Sequence, residues 1–362
     1  MTKNISSNIS LFADDTILFH SSKCPLNLHR TLSSDLKTLE SWAKTWFVHF
    51  NANKSQVMTI SRKDNSHPPL YFANSPLSEA VSVKYLGLFF HRSLSWHHHI
   101  LYLYNKAISR LNALRKITNL IPRFALYTLY RSCILPLLDY GDILYDNCSH
   151  SDTQLLESVQ TTAAKIILGC FKTTSHKKIL NDLNLFPLSK RRDIHVLSMF
   201  HKILHGYVPE YLKMLAPPTF HELSSISLRH NLNVIIPGAK LTFTLKSFFN
   251  KASKLWNNLP HEIQSNSSHS VFVSSVTSFY GLDTKGDLYH LHGSHPGSNS
   301  LLCMLRLGHS PLNTNCLNYR TCACGSIENE LHLFLKCPLL IVPRRSMLRS
   351  VESLLTLSLI HI

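Results

Sequence analysis

Acidic side chains are scarce in this chain of 362 residues. It has 21 Asp and Glu against 37 Lys and Arg, which leaves a formal net charge of +16. Charged residues make up only 16% of the chain, below the usual share of about 25%. A positive surplus on so few charges favours a polyanionic partner, most simply nucleic acid, with an anionic membrane surface as the alternative.

Long apolar runs are also missing. No stretch approaches the roughly 18 residues that a membrane-spanning helix needs, and the tail Leu354–Ile362 is far too short. The N-terminal segment Met1–Asn8 has no apolar region, so a secretory signal is not expected. The nine cysteines are odd in number and scattered, which excludes a disulfide framework. We therefore expect an intracellular protein, in the cytoplasm, the nucleus or both, with no membrane contact.

Hydrophobic residues make up 44% of the chain, which excludes a largely disordered protein. Residues 1–92 mix strands and helices, beginning with two strands around a tight Asp-Asp turn in Ile9–Phe19. A helix of about 22 residues follows, with Asp35 and Glu40 on its solvated face. Three further runs are short strand candidates: Gln56–Ile60, Leu70–Ala73 and Val83–Phe90.

Residues 93–215 predict a small helical bundle. Ser95–Ile117 has one amphipathic stripe, Pro122 fits the first turn of a second helix, and Ser151–Gln154 predicts the capping box of a third. Residues 170–215 continue helical and basic. Most of the 23 histidines lie in polar stretches such as His97–His99 and are expected at the surface.

The first predicted helix of this bundle is basic, and residues 95–135 contain no Asp or Glu. A solvated helix face usually mixes both signs, so we predict that its cations contact phosphates, without sequence preference and with strong salt dependence. Ordinary solvated helix faces remain the alternative. The candidate binding residues are Lys106, Arg110, Arg115 and Lys116.

Two composition changes divide the remainder. Pro217-Pro218 marks a boundary, and Ser265–Ser270 is rich in serine and asparagine, which is typical of a linker. We therefore assign residues 216–300 to an extension and linker, and residues 301–362 to a small Cys/His tail.

The sharpest chemical signal is the segment Leu11–Phe19, which places Asp14 and Asp15 at the tip of an apolar hairpin. Two carboxylates in such a place are costly unless a cation is bound. Template-directed polymerases need this arrangement because two Mg²⁺ ions must be held near the attacking and leaving oxygens of phosphoryl transfer. An ordinary hairpin turn, in which Asp is a favoured residue, is the alternative.

The segment Phe12–Asp15 with its apolar flanks resembles the catalytic hairpin of reverse transcriptases from non-LTR retrotransposons of the jockey-like LINE type. Further segments are similar to that family in the same order: Trp42-Ala43, Asn51–Ser55, Lys84–Gly87, Leu94–Ile100, Ile134–Gly141, Ser247-Phe248 and Leu255–Pro260. The resemblance covers roughly residues 10 to 340.

The resemblance implies an α+β fold: the C-terminal part of a polymerase palm in residues 1–92, a helical thumb in 93–215, and the extension and tail. It implies that Asp14 and Asp15 are catalytic and bind Mg²⁺. Lys54 would assist departure of pyrophosphate, or is a plain solvated lysine. Tyr85 and Gly87 would grip the primer, although strand packing explains them equally well. The implied partners are an RNA template and a DNA primer.

One part of the family pattern is missing. The palm carries another catalytic Asp on a strand before the hairpin, yet the thirteen residues before Asp14 contain no Asp or Glu. We therefore expect a 5′-truncated fragment of an RNA-directed DNA polymerase, inactive alone. A noncatalytic nucleic-acid-binding protein and a decayed element remnant are the alternatives, and the sequence does not fix the oligomeric state.

The tail contains a second candidate metal site, Cys322, Cys324, His332 and Cys337. Three thiolates and one imidazole form a complete tetrahedral set for a structural Zn²⁺. Gly325 allows the left-handed turn that a metal knuckle requires, and His309 and Cys316 are alternative ligands. Free buried cysteines are the other interpretation.

Overall fold

The computed structural model describes residues 4–61, 68–170, 174–220, 232–238 and 242–281, together with Leu291 and Pro338. The chain divides into two units, Met1–Tyr102 and Leu103–Ile362.

The first unit begins with an antiparallel hairpin of β1 (Asn8–Phe12) and β2 (Asp15–Phe19), followed by helix α1 (Pro25–Thr45). A single 3₁₀ turn covers Ala52–Lys54. The described strands that follow form three more two-stranded sheets. Their bounds are β3 (Gln56–Val57), β4 (Tyr71–Phe72), β5 (Ser75–Pro76), β6 (Ser78–Glu79), β7 (Ser82–Tyr85) and β8 (Leu88–His91). The pair β3–β6 is parallel, whereas β4–β5 and β7–β8 are antiparallel.

The hairpin and the long helix that the sequence pattern predicts are both present. Proline lies in the first turn of α1, where its missing N–H costs nothing. Leu39 and Ala43 are buried one turn apart on the inner face. The two shorter strand predictions are wrong in length. Gln56–Ile60 and Leu70–Ala73 each shrink to a two-residue pair, the second because Ala73 and Asn74 turn with positive φ values of 50° and 60°.

The predicted strand Val83–Phe90 is wrong as a single strand. It folds back on itself as β7 and β8, with Tyr85 opposite Leu88. The two turn residues, Leu86 and Gly87, have φ values of 46° and 83°. Two left-handed residues fit the right-handed twist of a tight hairpin, so Gly87 serves a turn rather than a bulge.

The second unit is helical in its described part. Helix α2 (His97–Lys116) crosses the boundary between the units. The helices that follow are α3 (Arg123–Leu129), α4 (Leu135–Asp139), α5 (Asp142–Tyr145), α6 (His150–Leu168), α7 (His176–Asp182), α8 (Leu188–Leu204), α9 (Glu210–Lys213), α10 (Thr242–Leu245), α11 (Phe248–Asn257), α12 (His261–Gln264) and α13 (His269–Phe279). A π-helical turn, Tyr130–Ile134, joins α3 to α4.

Two predicted helix features are displaced. Pro122 is the N-cap of α3 rather than a residue of its first turn. The capping box of α6 begins at Ser149, two positions before the predicted serine: the Ser149 hydroxyl accepts from the Asp152 amide at 3.1 Å and donates to the Asp152 carboxylate at 2.7 Å. Ser149 is the residue in extended backbone, so it is the one that caps.

One hydrophobic cluster joins α8 to α11 and α13. Phe200 on α8, Trp256 on α11 and Phe272 on α13 are almost completely buried, with the Trp256 ring 5.8 and 5.6 Å from the other two. This cluster crosses the boundary predicted at residues 215 and 216. The segment predicted as a linker, Ser265–Ser270, follows α12, which ends at the buried Gln264, and includes the start of α13 at His269.

The mixture of helices with small sheets confirms the α+β class. In the described ranges, no helix combines the length and the apolarity required to cross a bilayer.

Candidate functional site

The two adjacent carboxylates lie at the tip of the β1–β2 hairpin. Phe12 pairs with Asp15, so the turn consists of Ala13 and Asp14 and the second carboxylate already belongs to β2. The predicted Asp-Asp turn is therefore displaced by one residue, because Ala13 takes the left-handed conformation with φ of 51°. Both carboxylates are exposed. They offer oxygen ligands of the kind that Mg²⁺ prefers.

Asp35 on α1 holds the segment that leads into this hairpin. Its Oδ1 accepts from the Ser6 amide at 3.0 Å, and its Oδ2 accepts from the Ser7 amide at 2.8 Å and the Ser7 hydroxyl at 2.5 Å. The residue is 1% exposed, so the prediction of a solvated carboxylate is wrong. Burial alone would raise the pKa of Asp35, but the hydrogen bonds from Ser7 and Ser6 outweigh it and lower that pKa.

Glu40, the second carboxylate on α1, also accepts a hydrogen bond from the backbone. Glu40 is half-buried, and its Oε1 accepts from the Ala73 amide at 2.5 Å in the left-handed turn between β4 and β5. Its predicted place on a solvated face is therefore wrong as well. Both oxygens of Asp35 accept hydrogen bonds from Ser6 and Ser7, and one oxygen of Glu40 accepts from Ala73, so both carboxylates hold backbone rather than face the hairpin tip as unengaged ligands.

The lysine predicted to assist catalysis lies on an ordered loop. The Asn51 side chain accepts from the amides of Asn53 and Lys54 at 3.1 and 3.3 Å, and its carbonyl accepts from the Ser55 hydroxyl at 3.0 Å. These bonds fix one turn of 3₁₀ helix. Lys54 is the last residue of this turn, and its side chain is exposed to solvent. The sequence Asn51–Ser55 therefore positions a cation without burying it.

A cavity of about 580 Å³ lies between α1, β2 and the strand that follows the lysine loop. Its walls are mostly apolar, and its polar lining includes His20, Ser21 and Ser22 from the segment after β2. The cavity lies in the unit that carries both Asp14 and Lys54.

The candidate grip residues lie in and beside the β7–β8 turn. Tyr85 is half-buried and Gly87 is exposed. Lys84 lies 5.7 Å from the ring centres of both Phe89 and Tyr102, which is within cation–π range. The hairpin therefore presents a cation held on aromatic rings beside an exposed glycine.

The four predicted phosphate-binding cations are all exposed on α2. Arg110 donates to the Cys133 carbonyl, and Arg115 donates to the Asn112 side chain at 3.2 Å. These acceptors are neutral, so the guanidinium charges are not cancelled by them. Helical spacing places Lys106 and Arg110 on one flank. Arg115 and Lys116 lie in the last turn, where cations also favour the helix dipole.

The later basic segment is different, because both of its adjacent arginines, Arg191 and Arg192, lie beside carboxylates. Arg191 contacts Asp139 through two bonds of 3.2 and 2.5 Å. Lys251 on α11 contacts Asp146 at 2.7 Å and Asp193 at 2.6 Å. Arg192, in the same predicted basic segment, is 4% exposed and lies 3.8 Å from Asp146, so neither arginine is a solvated surface charge.

Asp139, Asp142 and His195 place three metal-capable atoms within 4.8 Å of one another. Among the described residues, this is the group of three that could hold an ion. His195 Nδ1 lies 2.6 Å from Asp142 Oδ2, and this hydrogen bond raises the pKa of His195 despite its burial. Asp139 is already paired with Arg191, and Asp142 is hydrogen-bonded to His195, so both carboxylates of the group have partners within the protein.

Two buried histidines are missed by sequence reasoning. His99 is fully buried, and burial followed by the nearby His98 lowers its pKa to about 4. His201 is also fully buried, stacks 4.3 Å from Phe272, and has its pKa lowered to about 4, chiefly by burial. His99 corrects the prediction that His97–His99 lie at the surface. Its one-turn spacing from Leu103 was the available signal.

The predicted zinc ligands Cys322, Cys324, His332 and Cys337 lie outside the described residues. The described cysteines, Cys24, Cys133, Cys148 and Cys170, are free thiols.

Comparison with known proteins places this geometry in context. Residues 1–90 match the family described as reverse transcriptase (RNA-dependent DNA polymerase). Over 204 residues the chain is 22% identical to the probable RNA-directed DNA polymerase from transposon X-element of Drosophila melanogaster, a match covering 56% of this chain and 22% of that protein.

Two other relatives from the same organism are similar. The probable RNA-directed DNA polymerase from transposon BS is 24% identical over 207 residues, covering 54% of this chain and 23% of its own length. The RNA-directed DNA polymerase from mobile element jockey is 26% identical over 186 residues, covering 51% and 20%. No solved structure matches the chain.

The chain thus spans about a fifth of the length of the curated relatives it matches. The match of residues 1–90 contains the Asp-Asp hairpin, α1, the lysine loop and most of the β7–β8 hairpin. These findings confirm the resemblance of the chain to the reverse transcriptases of jockey-like non-LTR retrotransposons.

Proposed function

We propose that this chain is a template–primer-binding part of a non-LTR retrotransposon reverse transcriptase. The observation that carries the proposal is the exposed Asp14-Asp15 hairpin, held on α1 by buried Asp35, inside the segment that matches the reverse transcriptase family. In this assignment residues 1–92 are the C-terminal part of the palm, 93–215 the thumb, 216–300 an extension and 301–362 the tail.

Asp14 and Asp15 are the residues that would hold divalent metal. Their exposure and position at a hairpin tip fit a site that must meet a primer end and a nucleotide from solvent. Bound Mg²⁺ would neutralise the charge that develops on the phosphoryl oxygens during nucleotidyl transfer. Lys54, exposed on a loop that Asn51 fixes, would offset charge on the departing pyrophosphate.

This carboxylate set is smaller than a two-metal site requires. Asp35 and Glu40 accept from backbone amides, while Asp139 is paired with Arg191 and Asp142 is hydrogen-bonded to His195. The proposal is therefore that the chain alone binds nucleic acid without extending a primer. This also favours the noncatalytic alternative for the isolated chain.

Nucleic-acid contact is assigned to the acid-free part of the chain. No Asp or Glu occurs between Glu79 and Asp139, whereas Arg191 on α8 and Lys251 on α11 are paired with acidic side chains. Lys106, Arg110, Arg115 and Lys116 would contact phosphates of a duplex formed by the RNA template and DNA primer. Tyr85 and Gly87 would approach the primer backbone, since an exposed glycine admits close contact.

The test is a template–primer experiment with two readouts, retention of a labelled RNA–DNA hybrid and extension of its primer in Mg²⁺ or Mn²⁺. The purified chain should retain the hybrid and leave the primer unextended. Extension that Asp14→Ala abolishes would overturn the inactivity claim. Failure to retain the hybrid at low salt would overturn the binding claim.

A further inference from the structure

Helix α1 ends in a hydrogen-bonded motif that normally contains glycine. The Val48 amide donates to the Ala43 carbonyl at 2.9 Å and the Phe47 amide donates to the Lys44 carbonyl at 3.4 Å. This pair of bonds is the Schellman motif, and it requires a left-handed residue at the position of Phe47, whose φ is 54°. Glycine is preferred there because it has no Cβ.

Neither the backbone nor packing explains a phenylalanine at this position. A bulky residue with positive φ is strained, and burial does not compensate, because 89% of Phe47 is exposed. The preceding residue, Trp46, is 66% exposed as well. The helix therefore ends in two adjacent large aromatic side chains that contribute little to its core.

The sequence on both sides of the two rings is cationic. Lys44 and Lys54 are exposed on either side of the pair in sequence, and no Asp or Glu occurs between Glu40 and Asp64. Glu40 is itself engaged with the Ala73 amide. Exposed aromatic rings combined with cations and no acids are the combination by which proteins bind single-stranded nucleic acid, because every base offers a flat face to an aromatic ring.

We propose that Trp46 and Phe47 form a stacking platform for unpaired bases of a nucleic-acid strand. The inference rests on the proposed nucleic-acid binding function and adds a contact that reads no sequence and needs no duplex. The strain at Phe47 is then retained because the side chain serves binding rather than folding.

Phe47→Gly tests the proposal because it should raise the melting temperature of the chain while weakening its binding to single-stranded nucleic acid. Glycine suits the left-handed position, so the variant should melt at a higher temperature than the wild-type chain. If the ring stacks on bases, the same variant should bind a labelled single-stranded dT oligonucleotide about tenfold more weakly. The salt dependence of binding should not change, since stacking releases no counterions.

Trp46→Ala should weaken oligonucleotide binding similarly. Met214→Ala is the matched control, since Met214 is 78% exposed and lies outside the first unit. It should leave binding unchanged. All four chains are tested at full length, with the single-stranded oligonucleotide and an RNA–DNA hybrid as separate probes.

Three outcomes would overturn the inference. Unchanged oligonucleotide binding by Phe47→Gly, while the wild type binds, removes the platform and leaves the proposed function standing. Loss of binding together with a lower melting temperature assigns Phe47 a structural role. Concentration-dependent self-association that Phe47→Gly abolishes, with unchanged oligonucleotide affinity, makes the rings a contact between copies. Absence of wild-type binding to either probe defeats the proposed function itself.

Discussion

Ser7 and Asp35 form a buried contact in which one residue donates twice to the other. The Ser7 amide and hydroxyl lie 2.8 and 2.5 Å from the same carboxylate oxygen of Asp35. Ser7 immediately precedes β1, so this contact fixes the start of the hairpin to the middle of α1. The hairpin that carries Asp14 and Asp15 is thus held in place by Asp35, a third carboxylate that lies away from the hairpin tip.

Asp35→Asn should therefore destabilise the first unit by about 2 to 3 kcal/mol, because an amide cannot replace a charged acceptor of three hydrogen bonds. Asp14→Asn is the control, since Asp14 is exposed, and it should change stability by less than about 0.5 kcal/mol. Denaturant unfolding of the full chain measures both. Equal effects of the two substitutions would show that the Ser7–Asp35 contact does not anchor the hairpin.

Asn257 mimics a strand partner in the second unit. Its side chain accepts from the Val234 amide and donates to the Val234 carbonyl, both at 2.9 Å, while the neighbouring Trp256 indole donates to the Leu232 carbonyl at 2.8 Å. Asn257→Ala should cost about 1 to 3 kcal/mol, because both Val234 groups lose their partner.

The adjacent Asn258 is exposed and provides the control for that substitution. Asn258→Ala should stay within about 0.5 kcal/mol of the wild-type free energy of unfolding. If the two alanine variants unfold at the same denaturant concentration, the side-chain clamp on Val234 contributes nothing to stability.

The buried imidazole of His201 predicts acid sensitivity. Its pKa falls from 6.5 to about 4 on folding, chiefly by burial. A lowered pKa contributes stability above about pH 6.5, and this contribution is lost as the pH falls toward 4. The slope for one such histidine approaches about 1.4 kcal/mol per pH unit. His195, whose pKa is raised by Asp142, has the opposite sign.

His201→Asn should therefore flatten the decline in unfolding free energy between pH 6.5 and 4. The exposed His261→Asn should leave that decline as it is in the wild type. Free energies from denaturant titrations at several pH values separate the two variants. An unchanged slope in His201→Asn would mean that this imidazole protonates without cost in the folded chain.

The Cys/His tail is predicted to bind a zinc ion. Zinc bound by Cys322, Cys324, His332 and Cys337 would contribute folding energy directly, so chelation should unfold residues from about 301 onward and leave the helical bundle intact. Cys337→Ser should act like chelation, whereas Cys303→Ser, outside the ligand spacing, should not. Metal analysis of the purified chain decides between this site and ordinary thiols: less than one zinc per chain, or an unchanged melt with chelator, contradicts it.

Sequence periodicity predicts the elements that depend on local pattern. The hairpin around Ala13 and the span of α1 follow from alternating and helical spacing. The break at Leu86-Gly87 was missed because apolar residues continue through it without interruption. Only the glycine marked the turn, and glycine in a strand also signals a bulge.

The partners of charged residues could not be predicted in the same way. Asp35 looks solvated by spacing alone, and its donors lie 28 and 29 residues earlier in the chain. The basic composition around Arg191 gives no sign that its partner is Asp139, 52 residues away. Such pairs depend on tertiary packing, which helical periodicity does not encode. The absence of acidic residues around α2, by contrast, can be read from the sequence alone.

The proposed contact between α2 and a nucleic-acid backbone is tested by the salt dependence of binding to an RNA–DNA hybrid. Binding is measured for the wild-type chain and for a variant with Lys106, Arg110, Arg115 and Lys116 all changed to Gln. The control changes four exposed lysines elsewhere to Gln: Lys37, Lys190, Lys246 and Lys254. The slope of log affinity against log salt should flatten by about one for each cation that meets a phosphate. We expect this flattening in the α2 variant and a wild-type slope in the control; equal slopes in all three chains would show that the α2 cations do not meet phosphates.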